Sequence, residues 1–214
     1  MTQAIGARWA VAAGHPLAAA AAAEILKAGG NAVDAGAAAV ACLGVVHSDM
    51  VSLAGVAPLL VHLARTRQTW QVAGVGGYPQ ACTVEYFERA HGGQIPPGLA
   101  RTVVPGAPDA WCAALAHWGT MTFAQVVEPA IEYAARGFPV SRFSAAVMAL
   151  NGERYRRWPS SARLFLRQGL PYRAGELFVQ SELADTLRRM TQREARAAGS
   201  RRARIRAARD EFYR

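Results

Sequence analysis

His47, Ser48 and Asp49 follow one another directly and hold the side-chain types of a base, a nucleophile and an orienting carboxylate. Neighbouring residues point in different directions, however, and a working triad is assembled in space from separate elements. The three therefore read as a polar turn that caps the helix before them. His15, just ahead of Pro16, reads as a helix cap or a core histidine rather than a base. His62 lies in an apolar run and reads the same way. Gly74, Gly76 and Gly77 form a GxGG pattern without the spacing or the following helix of a dinucleotide site, and no cofactor is expected. Cys42, Cys82 and Cys112 lie far apart with no CxxC or Cys/His cluster. That excludes a disulfide framework and a zinc site from the expectations and leaves buried, reduced thiols.

The elements that would position these groups are mainly helical. Pro16 suits a first helical turn, and the Ala-rich run to Lys27 predicts a helix that Gly29 and Gly30 stop. Asn31 with Asp34 three residues on predicts a capped second helix over about Ala32 to Val45, small and apolar nearly all round and so buried. Arg8 to Ala13 reads as a short buried strand, and Val56 to Leu63 with Thr69 to Ala73 as a hairpin. Gly and Pro density from Gly74 to Gly98 marks loops, some of them candidates to face substrate. Helical spacing then recurs over Pro105 to Trp118, Phe123 to Arg136, Ser141 to Trp158 and Ser181 to Ala197, with a looser stretch from Pro159 to Glu176. The five Trp residues, at 9, 70, 111, 118 and 158, read as core or interface anchors.

At 214 residues and 52% hydrophobic content, the chain can hold one sizeable core. No apolar run reaches the roughly 18–20 residues of a membrane span. Met1 to Trp9 lacks a secretory pattern, so a soluble, cytoplasmic protein without a membrane partner is expected. The formal charge of +9 is concentrated: Arg188 to Arg214 holds ten Arg against Glu194, Asp210 and Glu211. This tail has helical spacing and lacks the interleaved aromatics of a single-strand platform, which disfavours a nucleic-acid partner.

Four fragments occur in one order: AAGHPLAAAAAAEILKAGGNAVDAGAAAVACLGVV at 12–46, RTVVPGAPDAWCAAL at 101–115, FAQVVEPAIEYAARGFPV at 123–140, and the later stretches Leu183 to Arg189 and Asp210 to Tyr213. Together they resemble the N-terminal, large-subunit portion of the gamma-glutamyltranspeptidase family of N-terminal nucleophile hydrolases. The resemblance implies an autoprocessing precursor whose freed Thr attacks an amide or acyl carbonyl, its own α-amino group serving as base. Backbone amides would hold the oxyanion. It also implies an α/β (α+β) fold, the large-subunit part of a four-layer α/β/β/α sandwich, helix-rich with a few early strands. Residues 1–187 would form the family portion, and 188–214 an Arg-rich helical segment of the same domain. The nucleophilic Thr would belong to a complementing small subunit or downstream chain, so no catalytic residue is assigned here. The chain alone is expected to be inactive.

Two departures bear on substrate. The family's Gly-rich turn near Ser52 to Pro58 is matched only at Gly55. Where the family has an Arg that pairs with a substrate α-carboxylate, alignment on Pro79 places Val75, and such a bidentate contact is hard to replace. Val75, Gly76, Gly77 and Tyr78 are therefore the candidate substrate-binding residues, for a small amide or acyl compound other than a gamma-glutamyl one. Two other functions compete with the enzyme: a catalytically dead, truncated relative acting as an interaction protein, and nucleic-acid binding through the Arg-rich tail with steep salt dependence. A large-subunit portion on its own would expose apolar surface, and self-association or poor folding is expected of it.

Overall fold

The computed structural model describes residues 5–214. In chain order the elements are α1 (Pro16–Lys27), α2 (Ala32–Val46), β1 (Leu59–Leu63), β2 (Gln68–Val72), α3 (Val84–His91), a 3-10 turn (Leu99–Arg101), α4 (Ala107–Trp118), α5 (Phe123–Arg136), β3 (Phe138–Pro139), α6 (Arg142–Leu150), α7 (Gly152–Arg156), α8 (Pro159–Phe165), β4 (Leu166–Arg167), β5 (Leu170–Pro171), β6 (Leu177–Phe178), α9 (Ser181–Arg196) and α10 (Arg201–Phe212). They fall into two compact units, one running to Ser52 and resuming over Cys112–Arg214, the other being Leu53–Trp111. The chain is mostly helical, and the described residues form three short sheets, β1–β2, β3–β6 and β4–β5, of two antiparallel strands each. No described helix is long and apolar enough to cross a membrane.

In the first unit α2 packs against α1 and α5, α5 against α9, and α9 against α10. α1 buries Ala18, Ala21, Ala22 and Ile25, a stripe with the three-and-four spacing of one helical face. α2 buries Ala35, Ala37, Ala38, Ala41, Cys42, Gly44, Val45 and Val46, small groups that let helices approach on more than one side. α5 offers Phe123, Val126, Val127, Ala130, Ile131 and Ala134, and α9 offers Ala184, Leu187 and Met190. Phe123, Phe178, Leu115, Leu187, Met190 and Ile205 are fully buried, each worth about 1.5–3 kcal/mol of transfer free energy.

Three charged side chains from separate helices serve the connection between α4 and α5. Asp34, fully buried in the first turn of α2, accepts from the backbone N–H of Asn31 at 2.9 Å, completing the capping box that Asn31 begins. The same carboxylate accepts from Thr120 N–H at 3.0 Å, Thr120 Oγ1 at 2.7 Å and Met121 N–H at 3.2 Å. Glu194 of α9 accepts from the N–H groups of Phe123 and Ala124, both at 2.8 Å, which are free at the start of α5. Arg201 of α10 donates to the carbonyls of Leu115 at 2.9 Å, Gly119 at 2.7 Å and Met121 at 3.0 Å. Each unpaired buried amide would cost about 1–3 kcal/mol, so this clasp holds five helices in place.

Several expectations need correction. Arg8 to Ala13 is not a strand, since among the described residues no neighbouring strand supplies a ladder for it. The single helix expected over Ser141 to Trp158 is broken after Leu150, where the Asn151 side-chain amide donates to Val147 O at 2.9 Å and Gly152 follows. The looser stretch after it contains α8 and the β4–β5 hairpin. His62 is exposed and bonded to Thr69 across the β1–β2 hairpin, not buried. Of the expected core or interface anchors, Trp111 is in the core at 2% exposure, whereas Trp70 and Trp158 are 46% and 44% exposed and lie outside it. The Arg-rich tail does form two helices, and Arg201 within it is a structural cap.

Asp34→Ala would strand the amides of Asn31, Thr120 and Met121, with an expected loss on the order of 3 kcal/mol. Urea unfolding of variant and parent measures it; an unchanged midpoint would show that the clasp is dispensable.

Candidate functional site

The candidate substrate loop belongs to the second unit. β1 and β2 pair in register from Leu59↔Val72 to Leu63↔Gln68, and the chain leaving β2 runs on as Ala73 to Tyr78. Backbone bonds tie this segment to two others. Ala57 N–H donates to Gly74 O at 2.9 Å, Val104 N–H to Gly77 O at 2.9 Å, and Gly106 and Ala107 N–H both to Gly55 O at 3.0 Å. The stretches 55–57, 74–77 and 104–107 therefore lie backbone against backbone, with no room for side chains at the contacts. A Cβ on Gly76 would fall 1.4 Å from Val104 O; one on Gly74, whose φ is +55°, would fall 2.0 Å from Ala57 O. Glycine is required at both positions. Of the other candidates, Val75 is 61% exposed and Tyr78 48% exposed, while a Cβ on Gly77 would meet nothing within 4 Å. The four candidates thus stand together on one rigid segment. They offer apolar surface and a phenol, and no ionised group.

A second polar cluster lies in the first unit. His15 is the N-cap of α1, its Nδ1 accepting from Leu17 N–H at 3.2 Å, as the sequence suggested for a cap. His47 is the C-cap of α2, and its Nδ1 lies 3.1 Å from Asp49 Oδ1. A carboxylate only accepts, so that nitrogen carries the proton. Asp49, its side chain 3% exposed, also accepts from Ser144 Oγ of α6 at 2.9 Å, and Ser141 Oγ in turn donates to Ser144 Oγ at 2.9 Å. The His15 and His47 rings are 6.2 Å apart, and Phe143 meets His47 edge-on at 6.2 Å. Burial, then the neighbouring His47, hold the His15 imidazole below its ordinary pKa, against a smaller upward pull from Asp49.

The structure thus joins His47 and Asp49, which the sequence placed in one polar turn, while Ser48 makes none of these contacts. The serine that does join is Ser144, and its hydroxyl donates to the carboxylate rather than to the imidazole. Nucleophile and base are therefore not in contact, and the cluster is no triad. Ser144 was not singled out from sequence; the only local signal is Ser141, which caps α6 through Ser144 N–H at 2.9 Å. Cys42 and Cys112 are buried, Cys82 is half-buried, and none of the three is in a disulfide; burial pushes Cys42 up to about 12, which makes it inert. Among the described residues no group of three His, Cys, Asp or Glu is arranged to hold a metal ion.

Gly76→Ala is expected to destabilise the chain by at least about 2 kcal/mol, and Gly77→Ala to stay within about 0.5 kcal/mol. Thermal unfolding of the two variants side by side tests the backbone contact; equal melting temperatures would refute it.

Residues 18–200 match the family described as gamma-glutamyltranspeptidase. The chain is similar to the acylase ACY 1 proenzyme of Pseudomonas sp. (strain SE83), 35% identical over 193 residues, covering 86% of this chain and 34% of that protein. It is similar also to the glutathione hydrolase-like YwrD proenzyme of Bacillus subtilis (strain 168), 36% identical over 183 residues, covering 86% and 35%. Among solved structures, gamma-glutamyltranspeptidase of Helicobacter pylori superposes with a TM-score of 0.79 at 30% identity, covering 85% of this chain and 53% of that one. Cephalosporin acylase of Bacillus halodurans does so with a TM-score of 0.80 at 30% identity, covering 94% and 36%. The chain therefore spans about a third of the length of the curated relatives it matches. With motifs, helical architecture and these likenesses in agreement over most of its length, the chain belongs to the gamma-glutamyltranspeptidase family.

Proposed function

We propose that this chain is the large-subunit portion of an acyl transferase or amide hydrolase whose reacting Thr resides on a complementing small subunit or downstream chain. The observation that carries this reading is the family match over residues 18–200 in a chain about a third as long as its relatives. The β1–β2 hairpin supports it: among the described residues each strand pairs only with the other, Leu60 is 77% exposed, and Trp70 is 46% exposed. A lone two-stranded hairpin is marginal in water, and further strands would complete it as an inner layer of a four-layer α/β/β/α sandwich. In the assembled enzyme the Thr hydroxyl attacks the acyl carbon, its α-amino group takes the proton, and backbone amides stabilise the oxyanion.

The substrate we infer is a small amide or acyl compound without a gamma-glutamyl α-carboxylate. Val75 and Tyr78 present apolar and phenolic surface where a carboxylate would need a guanidinium. Of the relatives' names, that of the acylase fits such a substrate, whereas that of the glutathione hydrolase-like protein points to a gamma-glutamyl one.

The test is to express residues 1–214 alone and together with the product of the reading frame that follows the Arg214 codon. Chromogenic anilides of gamma-glutamate and of neutral aliphatic acids are then assayed with each. Activity is expected only with the Thr-bearing complement, higher on the neutral acids, and Val75→Arg should shift preference toward gamma-glutamyl anilide. Turnover by the 214-residue chain alone, or no turnover when it is joined by a Thr-bearing complement, would overturn the reading.

A further inference from the structure

The cluster around Asp49 joins three helices but takes no part in the function proposed above. It brings together the N-terminal end of α1 through His15, the C-terminal end of α2 through His47, and the start of α6 through Ser144. We propose that His15 is an acid-released latch on α1: it is closed while its Nδ1 accepts the Leu17 N–H, and it opens when that nitrogen is protonated.

The physical basis lies in which nitrogen is engaged. A neutral His15 can accept at Nδ1 only by carrying its proton on Nε2. A second proton must go to Nδ1 itself, where it would face the Leu17 N–H and abolish the cap. The resulting cation would also sit at the positive end of the α1 dipole, where positive charge is unfavourable. His47 is placed oppositely. Its Nδ1–H already points at the Asp49 carboxylate, and its ring lies 6.2 Å from that of His15. Acid therefore acts at His15, whose protonation in the closed form the neighbouring His47 disfavours.

The charged and titratable groups facing this pair come from each packed element. They are His15 at α1, His47 and Asp49 at the end of α2, and Tyr155 from α7. The Tyr155 phenol is raised by burial and then by Asp49. Ser141 and Ser144 contribute hydroxyls from α6, and Phe143 an aromatic edge. Asp49 Oδ2 is buried with no hydrogen-bond partner, so the carboxylate is held through Oδ1 alone, by His47 and Ser144. The sign follows from the direction of the His15 shift. Its pKa is lowered in the closed form, so the open form binds the proton more readily. The closed form has its full advantage above the ordinary histidine value of 6.5 and loses it as pH falls from there toward the lowered value.

Hydrogen exchange on the 214-residue chain between pH 7.5 and 5.0, corrected for intrinsic rates, tests the latch. Protection of the Leu17, Ala18 and Ala19 amides should fall by about tenfold or more, while amides in the middle of α5 hold theirs. His15→Asn keeps a side-chain acceptor at the N-cap but cannot titrate, and it should stay protected with a flat pH profile. His47→Gln removes a neighbour that disfavours the His15 cation in the closed form and should make the fall in protection smaller. A flat wild-type profile, or the same fall in His15→Asn, would overturn the proposal.

Discussion

The connection from Gly119 to Thr122 has more backbone polar groups than its own residues can satisfy, and the first unit is arranged around that need. α4 ends there with free carbonyls and α5 begins with free amides, all drawn among packed helices. Asp34, Glu194 and Arg201 reach it from α2, α9 and α10 and serve both kinds of group. A Cβ on Gly119 would stand 2.6 Å from Asp34 Oδ1, so the turn and the carboxylate fit only with glycine between them. Apolar stripes on α1, α5 and α9 supply the larger share of the free energy but are not directional. The charged clasp is directional, and it fixes which ends of which helices meet.

The second unit solves a different problem. It has a two-stranded hairpin, one short helix and much irregular chain, and its order around the candidate loop comes from backbone packed on backbone. Gly74 and Gly76 permit contacts that any side chain would block. Rigidity of that kind leaves Val75 and Tyr78 exposed on a fixed support, which suits a binding surface. Catalysis needs an activated nucleophile, and nothing on this segment provides one.

Charge in this chain has to be read residue by residue. The Arg-rich C-terminal stretch suggests an acidic partner when counted as a block. Yet Arg201 is engaged with four backbone carbonyls, Arg188 pairs with Asp185 at 3.0 Å, and Arg209 with Asp210. A similar lesson comes from the histidines, where the positions of single protons matter more than residue type. His15 is a cap because one nitrogen is an unprotonated acceptor, and His47 is held because the matching nitrogen is a donor.

Local signals alone determined much of the helical framework. Asn31 with Asp34 marked the start of α2, Pro16 that of α1, and the apolar spacing of α5 and α9 was readable because side-chain periodicity depends only on helix geometry. The ordered motifs placed the family as well. Tertiary structure decided what depends on distant partners. Arg8 to Ala13 has strand composition but no neighbouring strand among the described residues, and His62 lies in an apolar run yet faces outward. Asp34 was legible as a helix cap, but its second role, on Thr120 and Met121, spans 86 and 87 residues of sequence. The meeting of His47 and Asp49 with Ser144 likewise spans 95 residues. Composition and spacing record the preferences of a segment for itself; hydrogen bonds between segments far apart in the chain exist only once the helices have packed.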